Sequence, residues 1–486
     1  MGLRSSDAPQ PYFKTAGRAA LAERLLLVTM AFPPDQSIGA LRWQKLARYV
    51  AERGWGLDVV TVDPSCLQSS DPKCLEELPG DVRAYGVMPT GVWIERMGRA
   101  VHVVYDWLRE RRAASPASRA GNGRGGSGGI ASSASLNRAE MRWTFRSARE
   151  LVRAYHASLD FARTRRWAHD AASVALRVVE PGVHRAVVTT GPPHMAHEAG
   201  RLVARVTGIP LVLDMRDPWS LVQRLPEDVA SPIYLRLAAM YERRAVARAS
   251  LVAVNTEPFR LAMYDRYPDA RTRLLTVMNG CDEPMPASRH GSRFLIAYTG
   301  GVYLDRDPRP LFRAVSRVIR AYSLDPSQIG IEFMGTTDEY WRGAVGEIAR
   351  EEGVAAYFRL HPSRPRREAL QFLAEATMLV SLPQDSDMAI PGKIFEYLQC
   401  DAWLLALVTA ESATGRLLEG TAAHVVNPDD GEGIAAVIGE RYEEFSRGVL
   451  PTRIASNGRF SRREQAGRLL DAIDECTRRH AAVSRD

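Results

Sequence analysis

The chain alternates short apolar runs with amphipathic segments, and this alternation predicts how it folds. The apolar run at 25–32 has the length and character of a strand buried on both faces of a parallel sheet. A loop at 33–39 follows, and apolar residues then recur at helical spacing up to Gly54. The next apolar run, at 57–62, completes a strand–helix–strand unit whose first connection contains a glycine.

The same pattern recurs along most of the chain, with helical patterns between the apolar runs. Further strands are predicted at 186–190, 210–215, 251–254 and 274–278, and then at 294–298, 331–334, 357–360, 378–382, 404–408 and 424–426. Alternating strands and helices are typical of parallel sheets covered on both faces. The sequence therefore predicts an α/β protein with two Rossmann-like, doubly wound domains that face a cleft at the carboxyl ends of their strands.

Changes of composition along the chain predict the domain boundaries. We expect a disordered arm at 1–23, a first domain at 24–285, a second domain at 286–450, and a C-terminal helix within 451–486 that packs back towards the first domain. A basic helical insertion at about 91–170 interrupts the first domain. Its middle, 114–135, is rich in glycine, serine and alanine and is predicted to be a flexible linker.

The segments on either side of this linker are basic and aromatic, and they allow two interpretations. Between 138 and 167, arginines recur at helical spacing beside Trp143, Phe145 and Trp167. Such a helix can lie on an anionic membrane surface. It can equally be part of a helical hairpin that packs on the first domain and exposes its arginines to water. We favour the packed hairpin, because basic amphipathic helices are commonly surface helices.

Composition restricts the class of protein and its surroundings. The 486 residues are 45% hydrophobic and 25% charged, as in a soluble globular protein, and the net charge of +7 is modest for this length. The five cysteines are scattered without a Cys-x-x-Cys pair, which predicts neither a metal site nor a disulfide framework and indicates a reducing compartment. The N-terminal residues lack the apolar core of a signal peptide and no apolar run could span a bilayer, so we expect a cytoplasmic protein. We expect no nucleic-acid partner, because no known binding module occurs.

The stretch 390–396 carries the clearest chemical signal. It follows a predicted strand and a polar loop, and Pro391 and Gly392 begin an amphipathic helix. A helix amino terminus suits a diphosphate, since it offers free N–H groups and a partial positive charge. Lys393 adds a compact ammonium, and it is one of four lysines in an arginine-rich chain. Glu396 can accept hydrogen bonds from two ribose hydroxyls. The alternative is that Lys393 is an ordinary exposed residue of a first helical turn.

The assembled pattern resembles the GT-B glycosyltransferases, in particular glycosyltransferase family 4 of the type that builds cell-surface polysaccharides. The motifs that carry the resemblance are FPPDQSIGALR at 32–42, GPPHMAH at 191–197, DMRDPW at 214–219, NG at 279–280, YTGG at 298–301 and PGKIFEY at 391–397. The resemblance implies a retaining enzyme that needs no bound metal or other cofactor. It also implies a nucleotide-sugar donor held mainly by the second domain and a glycan, lipid-linked or other small acceptor held mainly by the first.

The resemblance also points to the residues that bind the donor. These are Gly39, Gly300, Gly301, Arg306, Arg309, Asp385, Asp387, Lys393 and Glu396. Gly300 and Gly301 let the backbone approach phosphate closely, and Arg306 or Arg309 stands where the family has a phosphate-binding cation. The family motif has two glutamates, and here Met388 replaces the first of them. Asp385 and Asp387 either reach the sugar hydroxyls instead or cap a turn, so the donor sugar stays open.

The first domain contains the residues predicted to act on the acceptor. His194 and His197 begin a helix after a Gly-Pro-Pro loop and are predicted to be catalytic, although lone histidines are more often structural. Asp217 ends a buried strand and is predicted to orient or deprotonate the acceptor hydroxyl, the alternative being a turn interaction with Arg216. The residues predicted to bind the acceptor are Arg42, Arg216 and Trp219.

Two other functions fit the same fold. A non-hydrolysing nucleotide-sugar epimerase shares the two-domain architecture, and it would need acidic and histidine residues around one nucleotide sugar without an acceptor groove. A catalytically silent scaffold would account for Met388, although the retained Lys393 and Glu396 argue against it.

Overall fold

The computed structural model describes residues 9–15, 22–98, 135–138, 141, 147–281, 285–302, 306–335, 344–383, 386–454 and 460–483. The strands of these residues are β1 (Phe13–Lys14), β2 (Arg24–Val28), β3 (Gly56–Val62), β4 (Val82–Val87), β5 (Ser135–Asn137), β6 (His184–Gly191), β7 (Leu211–Met215), β8 (Arg224–Pro226), β9 (Leu251–Val254), β10 (Leu274–Thr276), β11 (Phe294–Thr299), β12 (Ile329–Met334), β13 (Phe358–His361), β14 (Met378–Ser381), β15 (Trp403–Leu407) and β16 (His424–Val426).

The α-helices of the same residues are α1 (Ile38–Glu52), α2 (Lys73–Glu76), α3 (Ala148–Val178), α4 (Ala196–Thr207), α5 (Pro232–Arg248), α6 (Glu257–Arg266), α7 (Arg309–Tyr322), α8 (Ala344–Glu351), α9 (Arg366–Glu375), α10 (Gly392–Tyr397), α11 (Ala413–Leu418), α12 (Gly431–Ser446) and α13 (Arg462–Val483). Short 3-10 turns occur between some of them, as at Pro64–Cys66 and Pro268–Arg273. None of the described helices is long and apolar enough to cross a membrane.

The strands form two large sheets and one short antiparallel ribbon of β5 and β8. The first sheet has the order β1-β4-β3-β2-β6-β7-β9-β10 and is parallel except for β1. The second, β13-β12-β11-β14-β15-β16, is parallel throughout. The strand order reverses between β2 and β6 and again between β11 and β14, and such a reversal is where doubly wound sheets bind ligands. The prediction of two Rossmann-like, doubly wound domains is confirmed.

Each large sheet buries apolar side chains on both faces, because helices cover both. In β2, Leu26 and Val28 join the core beneath α3, α4 and α5, whereas Leu25 and Leu27 join the core beneath α1 and α13. All four side chains are 0% exposed. Successive side chains of a strand point to opposite faces, so a strand between two helical layers is apolar on both of its faces over most of its length.

Helix α3 shows how the last part of the predicted insertion at 91–170 is folded. It begins with a capping box, in which Ser147 and Glu150 each accept a hydrogen bond from the backbone N–H of the other. Its alanine-rich face, including Ala168 and Ala171, packs into the core of the first domain. From residue 148 onwards the segment is therefore a helix of that domain, as in the packed interpretation, because its small side chains fit closely against the sheet. Ser135, predicted to end the linker, lies in β5 instead, and the rest of the linker at 114–134 falls outside the described residues. Trp143 and Phe145 of the following segment also fall outside them.

The prediction of a disordered arm at 1–23 is wrong for residues 12–15. Phe13–Lys14 pairs antiparallel with β4, and the Tyr12 hydroxyl donates to the Pro33 carbonyl oxygen at 2.8 Å. Without this strand, β4 would expose unpaired N–H and C=O groups at the edge of the sheet, and pairing satisfies them. Residues 1–8 and 16–21 lie outside the described part.

The chain passes between the domains in two adjacent segments. Cys281 forms a bridge with Ser461, and its N–H donates to the Phe460 carbonyl oxygen at 3.0 Å. After this crossing, α13 packs against the core of the first domain with four buried apolar residues, Ala466, Leu469, Leu470 and Ile473. The C-terminal helix therefore lies on the first domain, although it follows the second in the chain.

Candidate functional site

The loops at the two reversals of strand order contain many of the predicted site residues. In the first sheet, Gly39 lies at the start of α1 after β2, and His194 lies in the loop after β6. In the second sheet, Gly300 follows β11 directly, and the loop after β14 leads to Lys393 in α10. The fold alone therefore places these two groups where doubly wound domains bind their ligands.

The carboxyl ends of the two sheets face each other. The Thr256 hydroxyl, which follows β9, donates at 2.6 Å to the carbonyl oxygen of Met388 in the loop after β14. In the same loop, the N–H of Asp387 donates to Gln223 Oε1 at 3.2 Å. The Met388 side chain packs against the core of the first domain. These contacts join loops that leave the carboxyl ends of both sheets, so the two sets of site residues border one cleft.

Lys393 is held in a cradle at the end of β11. Its ammonium donates to the Thr299 carbonyl oxygen and lies 3.7 Å from the centroid of the Tyr298 ring. Gly300 has a φ of 107°, and a Cβ added there would stand 2.8 Å from the lysine Nζ. The Thr299 N–H donates to the Tyr397 hydroxyl oxygen at 2.9 Å, which ties α10 to the strand. Backbone, glycine and ring together fix the position of the ammonium.

This environment makes the ammonium of Lys393 easier to deprotonate. Burial, followed by the positive charge of Arg306, lowers the pKa of Lys393 well below its ordinary value, while Glu396 acts in the opposite direction. A nearby anion would restore the charged form. Helix α10 has only six residues, so the lysine charge rather than the helix dipole dominates here.

The two arginines predicted to bind phosphate have different surroundings. Arg306 Nη1 donates to the Gly301 carbonyl oxygen at 3.2 Å, and its charge is close enough to act on Lys393. Arg309 is the first residue of α7 and forms an ion pair with Asp307 at 3.2 Å. Arg306 therefore lies at the cradle, whereas Arg309 pairs with Asp307 in the loop before α7.

Glu396 lies one helical turn after Lys393 and is partly buried. Its Oε1 accepts a hydrogen bond of 2.7 Å from Arg366 Nη1, and Arg366 is the first residue of α9. A carboxylate has about four lone-pair positions, so this bond leaves room for further donors. Contact with ribose stays a prediction.

The aspartates predicted to replace the missing glutamate are not shown near the cradle. Asp385 lies outside the described residues. Asp387 is exposed, and its carbonyl oxygen accepts from the Ala413 N–H at 2.7 Å, at the start of α11. Together with Met388, this segment serves as a contact between the domains, and its role towards a sugar stays a prediction.

Asp214 and Arg42 form a buried ion pair in the first domain. Asp214 accepts two hydrogen bonds from Arg42, of 3.0 and 2.9 Å, and one each from Trp43 Nε1 and Thr190 Oγ1. Burial alone would raise the pKa of Asp214, but the charge of Arg42 lowers it. Arg42 also donates to Asn279 Oδ1 at 3.0 Å. Each guanidinium nitrogen of Arg42 thus binds the chain itself, which argues against the predicted contact with an acceptor.

Arg216 fastens the Gly-Pro-Pro loop to the start of α1. It donates to the carbonyl oxygens of Gly191 at 3.3 Å, of Gly39 at 3.0 Å, and of Pro192. Arg216 is 9% exposed, so its guanidinium positions both loops from within. Its predicted role in binding an acceptor is therefore indirect in this arrangement, and Gly39 contributes its carbonyl oxygen to the clamp.

The two histidines lie side by side against a buried tryptophan. The ring of His194 stacks on Trp219, with centroids 5.2 Å apart, and lies 5.7 Å from the ring of His197. Trp219 is 3% exposed, so it supports the histidine ring from the core and presents little surface to an acceptor. His197 Nδ1 forms a hydrogen bond of 2.8 Å with the Thr189 hydroxyl. Among the described residues, His194 Nδ1 and His197 Nε2 have no partner.

Both histidines are neutral at neutral pH. Burial lowers the pKa of His197 to about 4, and burial followed by the charges of His197 and Arg216 lowers the pKa of His194 well below its usual range. Such groups accept protons weakly, so they suit hydrogen bonding to sugar hydroxyls better than proton abstraction. Asp217 is partly buried in the loop after β7 and remains the predicted base.

Several residues of the site were not predicted from the sequence. Tyr298 stands in the YTGG motif, and its position before the two glycines was an available signal. Thr256 and Arg366 gave no signal in the sequence, because the partner of each is distant along the chain. Thr256 donates to Met388, and Arg366 donates to Glu396. Within the described ranges, no three histidine, cysteine, aspartate or glutamate side chains are grouped to hold a metal ion. Independence from metal stays a prediction.

Comparisons with solved structures show the fold. HepE from Anabaena, in complex with UDP, is similar with a TM-score of 0.57 at 12% identity, covering 93% of this chain and 100% of that chain. Trehalose 6-phosphate synthase from Burkholderia multivorans gives 0.55 at 11% identity, covering 96% and 98%. Sucrose-phosphate synthase from Thermosynechococcus elongatus gives 0.51 at 13% identity, covering 95% and 98%. No protein-family model and no curated protein matches the sequence. At these identities the similarity establishes the two-domain GT-B fold.

Proposed function

We propose that the chain is a retaining, metal-independent glycosyltransferase of the family 4 type. It moves a sugar from a nucleotide-sugar donor to a hydroxyl of a glycan, lipid-linked or other small acceptor. The observation that carries the proposal is the cradle at the end of β11, where the ammonium of Lys393 lies over Gly300 beside Arg306. A diphosphate matches this set, because two cations and a backbone without a side chain suit phosphate oxygens.

The proposed reaction needs charge neutralisation on one side of the cleft and a proton acceptor on the other. The bond between the anomeric carbon and the diphosphate oxygen breaks, and the acceptor oxygen bonds to that carbon on the same face. The nucleoside diphosphate leaves with the electron pair, and Lys393 and Arg306 stabilise its charge. The proton of the acceptor hydroxyl passes to a carboxylate, for which Asp217 is the predicted residue.

The first donors to test are UDP-sugars, since the similar HepE structures contain UDP and UDP-glucose. We further propose a cytoplasmic enzyme. A lipid-linked acceptor would place it at the inner face of the plasma membrane as a peripheral protein, and the arginine-rich sequence at 138–167 motivates this setting.

Binding of the donor is tested by thermal shift with UDP-, GDP-, TDP- and ADP-sugars, with and without a metal chelator. A ligand at about 100 times its dissociation constant stabilises by roughly 2.7 kcal/mol. We expect one donor to stabilise the wild type and the control Lys73→Gln, in which an exposed lysine of α2 is neutralised, and we expect Lys393→Gln to respond much less. Stabilisation that is lost with the chelator would refute metal independence, and no shift with any donor would refute the proposal.

One observation favours a silent scaffold as a second candidate. The position of the first motif glutamate is occupied by Met388, whose carbonyl oxygen and side chain both serve the contact between domains. A scaffold would bind the nucleotide without releasing nucleoside diphosphate from any donor, whatever acceptor is offered. Measuring that release by coupled assay therefore separates the two functions. Conversion of the donor alone into an isomer, followed by NMR, would instead identify an epimerase.

A further inference from the structure

We propose that Arg366 is a positioning residue that fixes Glu396 to read the ribose hydroxyls, so that the donor site selects ribonucleotides over 2′-deoxyribonucleotides. The inference rests on the proposed function and specifies the nucleotide class that the site takes. Its basis is the hydrogen bond of 2.7 Å from Arg366 Nη1 to Glu396 Oε1, which joins the first turn of α9 to α10.

The helix that carries Glu396 is anchored without this ion pair. Ile394, Phe395 and Tyr397 are buried at 0–1% exposure, and the Tyr397 hydroxyl accepts from the Thr299 N–H. The Arg366 and Glu396 side chains are 35% and 19% exposed, respectively. Ion pairs with this much access to water contribute little to folding. The main effect of the Arg366 contact is therefore on the orientation of the carboxylate.

The position of Glu396 relative to Lys393 suits the two parts of a nucleotide. The residues are three apart in α10, and side chains at this spacing are neighbours on one helix face. With a diphosphate on the ammonium, the carboxylate lies where the adjoining pentose would be. The pentose is the group bonded directly to the diphosphate in every nucleoside diphosphate, so it is the part of the nucleotide that comes nearest to Glu396.

An oriented carboxylate can distinguish ribose from deoxyribose. Arg366 takes one lone pair of Oε1, and the remaining lone pairs of Glu396 can accept from the vicinal 2′ and 3′ hydroxyls. A 2′-deoxy ligand removes one of the two hydroxyl donors and leaves a lone pair of Glu396 without a hydrogen bond. The binding free energy of the deoxy ligand is therefore less favourable than that of the ribose form. Without Arg366 the carboxylate is free to turn towards water, and the penalty for the missing hydroxyl falls.

The test compares UDP, GDP and ADP with their 2′-deoxy counterparts by calorimetry at the wild type and three variants. For the nucleotide that binds, we expect the wild type to favour the ribose form about tenfold or more, and Arg366→Ala to reduce this ratio to about twofold or less. Arg366→Lys, which keeps a charge but not the planar fork, should give an intermediate ratio. Arg367→Ala removes the exposed neighbouring arginine and should keep the wild-type ratio.

The outcomes separate this inference from the proposed function. If the wild type binds none of the six nucleotides but is stabilised by a TDP-sugar, whose pentose lacks the 2′ hydroxyl, only this inference is refuted. If it binds none of them and responds to no sugar nucleotide, both are refuted. If it binds one but Arg366→Ala and Arg366→Lys keep the full preference for ribose, only the role of Arg366 is refuted. Equal weakening of both ligand forms in these variants, with an unchanged ratio, would likewise assign Arg366 a purely structural role and refute the inference.

Discussion

The lowered pKa of Lys393 predicts that nucleotide binding takes up a proton. In the free protein the ammonium is buried beside Arg306 and is easily deprotonated. A diphosphate brings negative charge to the same place and raises the pKa again. The complex therefore holds the proton more tightly than the free protein, and affinity must fall as pH rises between the two pKa values.

The size of the effect follows from linkage. Each pH unit within this window changes the binding free energy by about 1.4 kcal/mol, so affinity falls up to about tenfold per unit. Folding shows the opposite dependence. The unfolded chain binds this proton more tightly than the folded protein, so the free energy of unfolding without ligand rises with pH between the folded-state pKa and the ordinary lysine value.

Calorimetry in buffers of different ionisation enthalpy measures the proton count directly. We expect uptake of up to about one proton per nucleotide between the lowered pKa of Lys393 in the free protein and its pKa in the complex, measured where a terminal phosphate with a pKa near about 6 is already ionised. Lys393→Arg is the control, because guanidinium keeps its charge throughout this range and should show no uptake. If the wild type takes up no proton at any pH from 7 up to the ordinary lysine pKa, and its affinity is flat over that range, the reasoning is refuted.

Three further variants test other parts of the structure. Asp214→Asn leaves buried Arg42 without its counter-charge and should lower the free energy of unfolding, measured by urea denaturation, by about 3–5 kcal/mol. The control Asp471→Asn removes an exposed carboxylate and should change that free energy by at most about 1 kcal/mol. Equal effects of the two variants would contradict the central role of the buried pair. Gly300→Ala places a Cβ at a φ of 107° and against the Lys393 ammonium, so we expect nucleotide affinity to fall at least about tenfold. The control is Gly346→Ala in α8, where an added Cβ has open space. Wild-type affinity in the Gly300 variant would show that the cradle does not bind the nucleotide. Met388→Glu sets a carboxylate against the apolar core of the first domain and should lower the free energy of unfolding by about 1–3 kcal/mol, seen as a lower thermal midpoint, whereas Met388→Leu should be tolerated. An unchanged midpoint in the glutamate variant would show that this side chain is not needed for the domain contact.

The fold could be predicted because its determinants are local in the sequence. Strand β2 is apolar at every position from Leu25 to Val28, since helices cover both faces of its sheet. A run of this kind between helical patterns indicates a parallel α/β sheet without further information. The predicted strands of the second domain correspond to β11–β16 in number and order for the same reason.

The predictions that failed concern segments whose structure depends on distant partners. Phe13–Lys14 is only two residues long, and its pairing with the edge of β4 makes it a strand. Helix α3 was predicted to belong to an insertion because the strand–helix pattern is interrupted there, and the packed interpretation was favoured. Its buried face consists largely of alanine, which contributes little to an apolar periodicity. Weak local signals of this kind are decided by tertiary packing.

The site was predictable where it follows a strand directly and not where it rests on pairing across the fold. Lys393 could be singled out because a strand, a polar loop and a helix start with proline and glycine follow one another in the sequence. Arg42 could not be assigned correctly, since its partner Asp214 lies 172 residues away and no pattern connects them. The contact between Glu396 and Arg366 likewise depends on the packing of α9 beside α10.

The two sides of the cleft differ in charge, and this difference indicates what each side can bind. On the first domain, the guanidinium groups of Arg42 and Arg216 donate to the chain itself, and His194 and His197 are neutral. On the second domain, burial and the charge of Arg306 lower the pKa of Lys393, so an anion bound there would favour the charged ammonium. These charges support the proposal that an anionic donor binds the second domain and that uncharged hydroxyl groups bind the first. This asymmetry is what transfer from a sugar diphosphate to a neutral sugar hydroxyl requires, because the leaving group alone must be stabilised as an anion.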